Sequence, residues 1–325
     1  MRPASRPRRA LPDGVEVRPT RDEDRALLLD YFDRLPPEDR DLRFFGPTVP
    51  ASHVDRWLAL GGQGGETFIA LTTDPVHGAR CVGEAGYAPH GDGTAEFALS
   101  VAPDARGGLG TVLLEYLRDA AAARGYRALH GDILADNGPM RHLLRRRGGT
   151  TVDRLDGGWI GVVIATGLGA PPWPEAGVRG PRVLVESRNG RWGGEAQLRE
   201  AGFQVAVCPG PTGRVAEDPC PLLEGRRCAL VDGADIVVND LSPDEPVHRH
   251  LTAALMTAAD PRALLTRPEG ATSIGADLVE TALRAGHAGR QCCAPRATSA
   301  SRSATAAGGE RNGECELASR RTSSA

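Results

Sequence analysis

Gly107, Gly108 and Gly110 stand in the run Ala105-Arg-Gly-Gly-Leu-Gly110, between an alternating segment, Thr94 to Val101, and a helical one, Thr111 to Arg124. A glycine turn that feeds a helix N-terminus suits a diphosphate, because free backbone N–H groups and the positive end of the helix dipole both point at the anion. Glycine keeps a Cβ out of the ligand's way. The run is not a dinucleotide fingerprint, since it holds no G-x-G-x-x-G, and it is not a Walker loop, which needs a lysine. On the strand before the turn, Glu96 shares a face with Ala98 and Ser100, while Phe97 and Leu99 take the other. That carboxylate is either a base beside a bound ligand or a solvated strand residue.

The parts that must position these groups follow in order. Arg127 to Leu134 reads as a second strand, and Asn137-Gly-Pro-Met140 opens a second helix, Asn being a good N-cap and Pro139 suiting the first turn. Met140, Leu143 and Leu144 lie on one face of that helix. Upstream, Val15 to Pro19 is a short strand and Thr20-Arg-Asp-Glu23 a capping box. Leu27, Leu28, Tyr31, Phe32 and Leu35 then continue an amphipathic helix. Glu66 to Leu71 and Arg80 to Tyr87 are middle strands. Thr150 to Asp153 and Trp159 to Thr166 form a closing hairpin around Asp156-Gly-Gly158.

The turn resembles motif A of the GNAT superfamily of N-acetyltransferases, which reads Gln/Arg-x-x-Gly-x-Gly/Ala. Gly108 and Gly110 match the two small positions, whereas Ala105 replaces the first Gln or Arg and Arg106 sits one place later. Asn137 to Gly148 resembles motif B of the same family. Ala95-Glu-Phe-Ala98 and Leu42-Arg-Phe-Phe-Gly46 resemble the Pat-like branch, which acetylates protein lysines. The resemblance covers residues 14–168. It implies a mixed α/β fold of order β-α-α-β-β-β-α-β-α-β-β that binds acetyl-CoA as cosubstrate. Its cofactor residues would be Ser100, Val101, Arg106, Gly107, Gly108, Leu109, Gly110, Thr111 and Asn137. It further implies an acyltransferase working by direct transfer in a ternary complex, with Glu96 as a water-mediated base. A lysine amine, with reference pKa about 10.4, must lose a proton before it attacks. Many family members carry a motif-B tyrosine that protonates the leaving thiolate. Here the four tyrosines are at 31, 87, 116 and 126, so none is in motif B.

Composition narrows the alternatives. All 39 basic residues are arginine against 42 acidic ones, so the net charge of −3 offers no basic field for nucleic acid. The absence of lysine excludes Schiff-base chemistry and self-acetylation on internal lysines. Seven cysteines (81, 208, 220, 228, 292, 293 and 315) contain no C-x-x-C pair, which predicts neither a metal site nor a disulfide framework, but reduced thiols in a cytoplasmic, bacterial protein. No segment is apolar for long enough to span a bilayer, and the arginine-rich first ten residues lack the apolar stretch of a secretory signal.

Residues 169–181 read as a Pro/Gly linker and 182–285 as a second, small α/β unit with a parallel sheet. Its strands are Val183 to Ser187, Phe203 to Cys208 and Asp235 to Leu241. Its helices are Gly194 to Ala201, Val247 to Ala258 and Asp277 to Ala285. The unit weakly resembles a receiver or flavodoxin-like module, with Asp240 ending its third strand, but it lacks the receiver's acidic pair and lysine. Residues 286–325 are poor in large apolar groups and read as disordered. His130 and His142 have no carboxylate at readable spacing and read as structural or surface groups. Arg145 to Arg147 read as a solvated helix end, the alternative being contact with the 3′-phosphate of CoA. The functions expected are acetyl transfer to a protein lysine, acetyl transfer to a small amine such as an aminoglycoside or polyamine, or non-catalytic sensing of acyl-CoA.

Overall fold

The structure, a computed structural model, describes residues 10–44, 46, 48–74, 78–91, 93–155, 158–173, 180–188, 190–258, 263–266 and 284. The helix expected at 277–285 apart from residue 284, the tail at 286–325 with Cys292, Cys293 and Cys315, and residues 174–179 of the linker lie outside these residues.

The chain opens with β1 (Val15–Pro19), then α1 (Arg25–Arg34), α2 (Pro37–Phe44) and α3 (Ala51–Leu58). Next come β2 (Glu66–Asp74), β3 (Gly78–Gly91), β4 (Thr94–Val101), α4 (Leu109–Ala123), β5 (Ala128–Leu134), α5 (Gly138–Arg146), β6 (Thr150–Leu155) and β7 (Trp159–Ala165). The second unit follows as β8 (Arg182–Glu186), α6 (Glu195–Glu200), β9 (Gln204–Cys208), α7 (Ala229–Asp232), β10 (Ile236–Asn239), α8 (Pro246–Ala258) and β11 (Ala263–Thr266). The described strands make one sheet in the order β1-β2-β3-β4-β5-β7-β6-β9-β8-β10-β11. The first four are antiparallel neighbours, β4 and β5 are parallel, and β5, β7 and β6 are antiparallel. In the second unit β9, β8, β10 and β11 all run parallel.

Apolar period decides which face each element buries. In α4, Leu109, Val112, Leu113, Leu114, Leu117 and Ala121 are buried in one cluster with Phe68, Val82, Ala85 and Leu99 of the sheet. Each fully buried leucine contributes about 1.5–3 kcal/mol, so this helix is a main source of cohesion beneath the glycine turn. On the other face, α1 packs Leu28, Tyr31 and Phe32 with Val54 and Trp57 of α3 and Ile69 and Cys81 of the sheet. The second unit is covered on both faces, by Leu251 and Leu255 of α8 and by Leu198 of α6.

Local details differ from the sequence reading. The expected capping box is displaced by one residue: Asp24 Oδ2 accepts the backbone N–H of Arg21 at 2.8 Å, while the Thr20 hydroxyl bonds to that of Thr67. Arg18 holds both oxygens of Asp24 at 2.7 Å, which commits this buried carboxylate to the turn. One helix more than expected precedes β2, and residues 42–44 form the last turn of α2. The helix α4 begins at Leu109, two residues early, because Gly108 with φ 129° already ends the turn. The short strand β11 and helix α7 were not foreseen.

Candidate functional site

The strands β4 and β5 pair over three residues, Thr94 to Glu96 against Ala128 to His130, and then diverge. Beyond that point β4 continues along β3, and β5 continues along β7. Gly131 helps the strands part, since the Phe97 ring occupies the position where its Cβ would stand: a Cβ there would meet Phe97 Cε1 at 2.7 Å. From Phe97 to Val101 the β4 edge therefore offers backbone groups that no strand takes up on the β5 side.

A cavity of about 640 Å³ fills the gap. Its wall brings together Glu96, Ser100, Val101, Arg106, Gly107, Gly108, Gly110, Thr111 and Asn137. Leu109 is the exception among the expected residues: its side chain is buried in the core, leaving its backbone to face the turn. Gly107 and Gly108 have φ of 135° and 129°, values that L side chains rarely adopt, so the turn depends on glycine at both positions. At the start of α4 the Thr111 N–H already donates to the Gly108 carbonyl at 3.0 Å. The N–H groups of Leu109 and Gly110 are therefore the ones with no intrahelical acceptor, and they point along the helix axis toward the gap.

Arg106 forms an ion pair with Asp39 of α2 across the cleft mouth. Asn137 Oδ1 accepts the N–H of Met140 at 3.1 Å, so it caps α5 while also lining the cavity. Ser100 Oγ donates to Glu84 Oε1 at 2.7 Å and lies 3.0 Å from the Tyr31 hydroxyl. Arg43 donates to both oxygens of the fully buried Glu84, at 2.9 and 3.3 Å, and stacks on the Phe44 and Trp57 rings. Burial, followed by the Glu84 charge, pushes the Tyr31 hydroxyl well above its ordinary range. The sequence reading missed this network. Its one signal was a lone carboxylate inside the otherwise apolar or small run Cys81 to Tyr87.

Glu96 is exposed at the other end of the gap, with its Cα paired to Ala88 on β3 and to His130 on β5. His130 thus has carboxylate neighbours, contrary to expectation: Asp132 stands two residues on along the same strand face, and only Glu96 was concealed by linear spacing. Glu96 lies opposite it, Asp132 Oδ1 is 3.8 Å from its Nε2, and the His90 ring stacks on it at 4.7 Å between centroids. His142, Asp39 and Asp132 line the cavity as well. The arginine run that ends α5 is not uniformly solvated as expected. Arg146 is exposed and lines the cavity, whereas Arg147 is buried and its Nε lies 3.2 Å from Glu115 Oε1.

That pair begins a buried ionic chain leading out of the cleft. Arg118, fully buried, lies 3.5 Å from Glu115 and 3.1 Å from Asp218 of the second unit, and it donates to the carbonyls of Ala165 and Gly167 at 2.8 Å. Arg214 completes the chain at 3.1 Å from Asp218. Beside it, burial raises the Glu186 carboxyl from 4.5 to about 7, against the opposing influence of Cys208 and Arg214. Asp240 follows β10, and its N–H donates to the Glu186 carbonyl at 2.9 Å. Burial holds Cys81 and Cys228 as neutral thiols with pKa about 12. Among the described residues no cluster of three or more His, Cys, Asp or Glu could hold a metal ion, and no helix is long and apolar enough to cross a membrane.

Residues 33–149 match the model of the acetyltransferase (GNAT) family. An acetyltransferase of Pseudomonas aeruginosa is 35% identical over 140 residues, which cover 41% of this chain and 75% of that protein. Among solved structures, the GNAT domain of S. lividans PAT is 23% identical. The match covers 46% of this chain and 90% of that one, with a TM-score of 0.42. A phosphinothricin acetyltransferase from Sinorhizobium meliloti, in complex with AcCoA, is 18% identical. There the match covers 47% of this chain and 89% of that one, with a TM-score of 0.37.

Proposed function

This chain belongs to the acetyltransferase (GNAT) family and is an N-acetyltransferase, and from that premise we propose that it acetylates protein lysines from acetyl-CoA bound between β4 and β5. The observation that carries the reading is the union, in one open cleft, of a glycine turn at one end and Glu96 at the other. The residues fit the cosubstrate. The turn from Arg106 to Thr111 presents backbone donors for a pyrophosphate, and the unpaired edge of β4 presents hydrogen-bonding groups for the amide-bearing arm. Acetyl-CoA supplies an activated acetyl thioester.

The chain's own residues then have three tasks. Arg106, Gly107, Gly108, the backbone of Leu109, Gly110 and Thr111 hold the pyrophosphate, with Ser100, Val101 and Asn137 along the arm. A backbone N–H near Val101 polarises the thioester carbonyl and stabilises the oxyanion that forms there. Glu96, through a water, takes a proton from the incoming ammonium, so that the free amine attacks in a ternary complex. Asp39 is committed to Arg106, and the remaining carboxylates of the wall, Glu96 and Asp132, can attract a cationic acceptor. The leaving thiolate is a weak base and departs without a motif-B tyrosine.

We further propose that residues 14–168 form the acetyltransferase domain, 169–181 a linker, 182–285 a small α/β domain and 286–325 a disordered tail, in a cytoplasmic protein. The acceptor is tested by following thiol release from acetyl-CoA with lysine peptides, polyamines and aminoglycosides. Turnover with lysine peptides at higher kcat/KM than with the small amines supports the reading. A preference for the small amines replaces the acceptor, and acetyl-CoA binding without turnover on any amine replaces the enzyme by a sensor.

A further inference from the structure

A second cavity, of about 340 Å³, lies where the two units meet. One wall is α5, and the opposite wall is made by the loops that follow β8 and β9, through Gly190, Arg191 and Pro209. The carboxyl ends of parallel strands are where α/β sheets present their ligand-binding loops. Ile133, Ile160, Val162 and Leu144 give the cavity an apolar floor. Its ionisable lining among the described residues consists of Arg141, His142, Arg145 and Arg191, with no Asp or Glu.

The cationic groups converge. Arg141 from α5 and Arg191 from the second unit both donate to the carbonyl of Ala135, at 2.9 and 3.2 Å. Arg145 Nη2 lies 3.4 Å from His142 Nδ1. Gly190, with φ 60°, turns the chain after β8, and its N–H donates to the Ser187 carbonyl at 3.0 Å, which directs Arg191 across the seam. Guanidinium forks that converge on one cavity can together take a planar anion, whose oxygens accept from their N–H groups. The apolar floor adds a place for a hydrocarbon body.

We propose that this cavity is a ligand site for a small organic anion, a carboxylate or phosphate carried on an apolar group, bound jointly by the acetyltransferase unit and the second unit. It is separate from the β4–β5 cleft, although Ile133 and His142 of the intervening wall border both.

Calorimetric titration of the full chain tests the site, with CoA present at saturation so that the glycine turn is occupied. The probes are hexanoate, phenyl phosphate and inorganic phosphate. Binding of hexanoate identifies a carboxylate ligand and binding of phenyl phosphate a phosphate ligand, each at least tenfold tighter than inorganic phosphate. Arg191→Glu and Arg145→Glu are expected to weaken that binding at least tenfold, and Arg191→Lys by less. Arg191 is exposed, so Arg191→Glu should keep the wild-type melting temperature and CoA affinity. No binding of either organic probe, equal affinity for inorganic phosphate, or binding that survives both charge reversals overturns the proposal. Failure of CoA to saturate the protein is a separate result and counts against the function proposed above. The titration then proceeds without CoA, with Gly108→Glu and Arg191→Glu distinguishing the two cavities.

Discussion

Three residue pairs hold β4 to β5, and one pair, Thr151 with Val207, holds β6 to β9. The sheet is thinly joined at both places, yet one joint is a wide cleft, whereas the other is bridged by buried ions beside a smaller cavity of about 340 Å³. At the first, Gly131, Ala98 and the glycine turn contribute little side-chain volume, and a cleft of about 640 Å³ remains. At the second, the ionic chain from Arg147 through Glu115, Arg118 and Asp218 to Arg214 lies buried across the seam. A gap in backbone pairing flanked by small residues therefore stays open as a cleft. A gap bridged by long arginines and buried carboxylates becomes an interface between units instead.

The contrast can be broken from either side. The largest effect is expected at the open joint. Glu96→Gln should lower kcat by about 10²–10⁴-fold at neutral pH while sparing acetyl-CoA affinity, with partial rescue at pH 9 as free amine forms unaided. A wild-type rate from pH 6.5 to 9 would remove Glu96 from the mechanism and turn attention to its cross-strand neighbour His130.

At the bridged joint, Asp218→Ala takes a carboxylate away from two buried guanidinium groups. Breaking a buried pair in this way costs about 3–5 kcal/mol, read as a drop in the chemical-denaturation midpoint. A loss under 1 kcal/mol would mean that the seam does not depend on this charge.

Glu186 gives the same region a pH signature. Its carboxyl is raised from 4.5 to about 7 in the folded chain, so between those values the folded state holds a proton that the unfolded state has released. Stability from this group is accordingly complete below about pH 4.5 and is lost as pH rises to about 7, on the order of 3 kcal/mol in all. The melting temperature of Glu186→Gln should gain on that of the wild type as pH is raised through this window. Parallel curves would show that Glu186 titrates normally.

The smallest effect comes from crowding the open joint. Gly131→Val drives a Cβ into the Phe97 ring and should cost about 1–3 kcal/mol of stability. A displaced ring would also raise KM for acetyl-CoA, and an unchanged KM would show that the cleft tolerates the shift.

Much of the open joint was legible because its signals are local. The glycine turn, the alternation of Thr94 to Val101 and the Asn137 cap each depend on neighbours within a few residues. The helix α2 escaped because Pro36-Pro-Glu-Asp-Arg-Asp41 is rich in charge and poor in apolar period, so its helical state rests on tertiary contact. Residues joined across long spans were illegible. Glu84 and Arg43 meet over 41 positions, His130 meets Glu96 across a strand pair, and Arg147 looked like a solvated helix end until its partner on α4 was seen. The parallel sheet of the second unit was readable from its short apolar runs, whereas β11, only four residues long, carried too little pattern to distinguish it from a loop.

The pairing of Arg118 with Asp218 also has a consequence for biosynthesis. The two residues are 100 positions apart, so at about 5–20 residues per second a ribosome adds the second about 5–20 s after the first. By then every strand from β1 to β7 has been synthesised and can assemble through pairings nearer in sequence. Arg118 meanwhile awaits the carboxylate that accompanies it in the mature fold, and through Glu115 so does Arg147 in the cleft wall. A nascent chain halted before residue 218 would hold the glycine turn and Glu96 but not the charge balance beneath α4. The charge balance beside the β4–β5 cleft is thus completed by a segment outside residues 33–149.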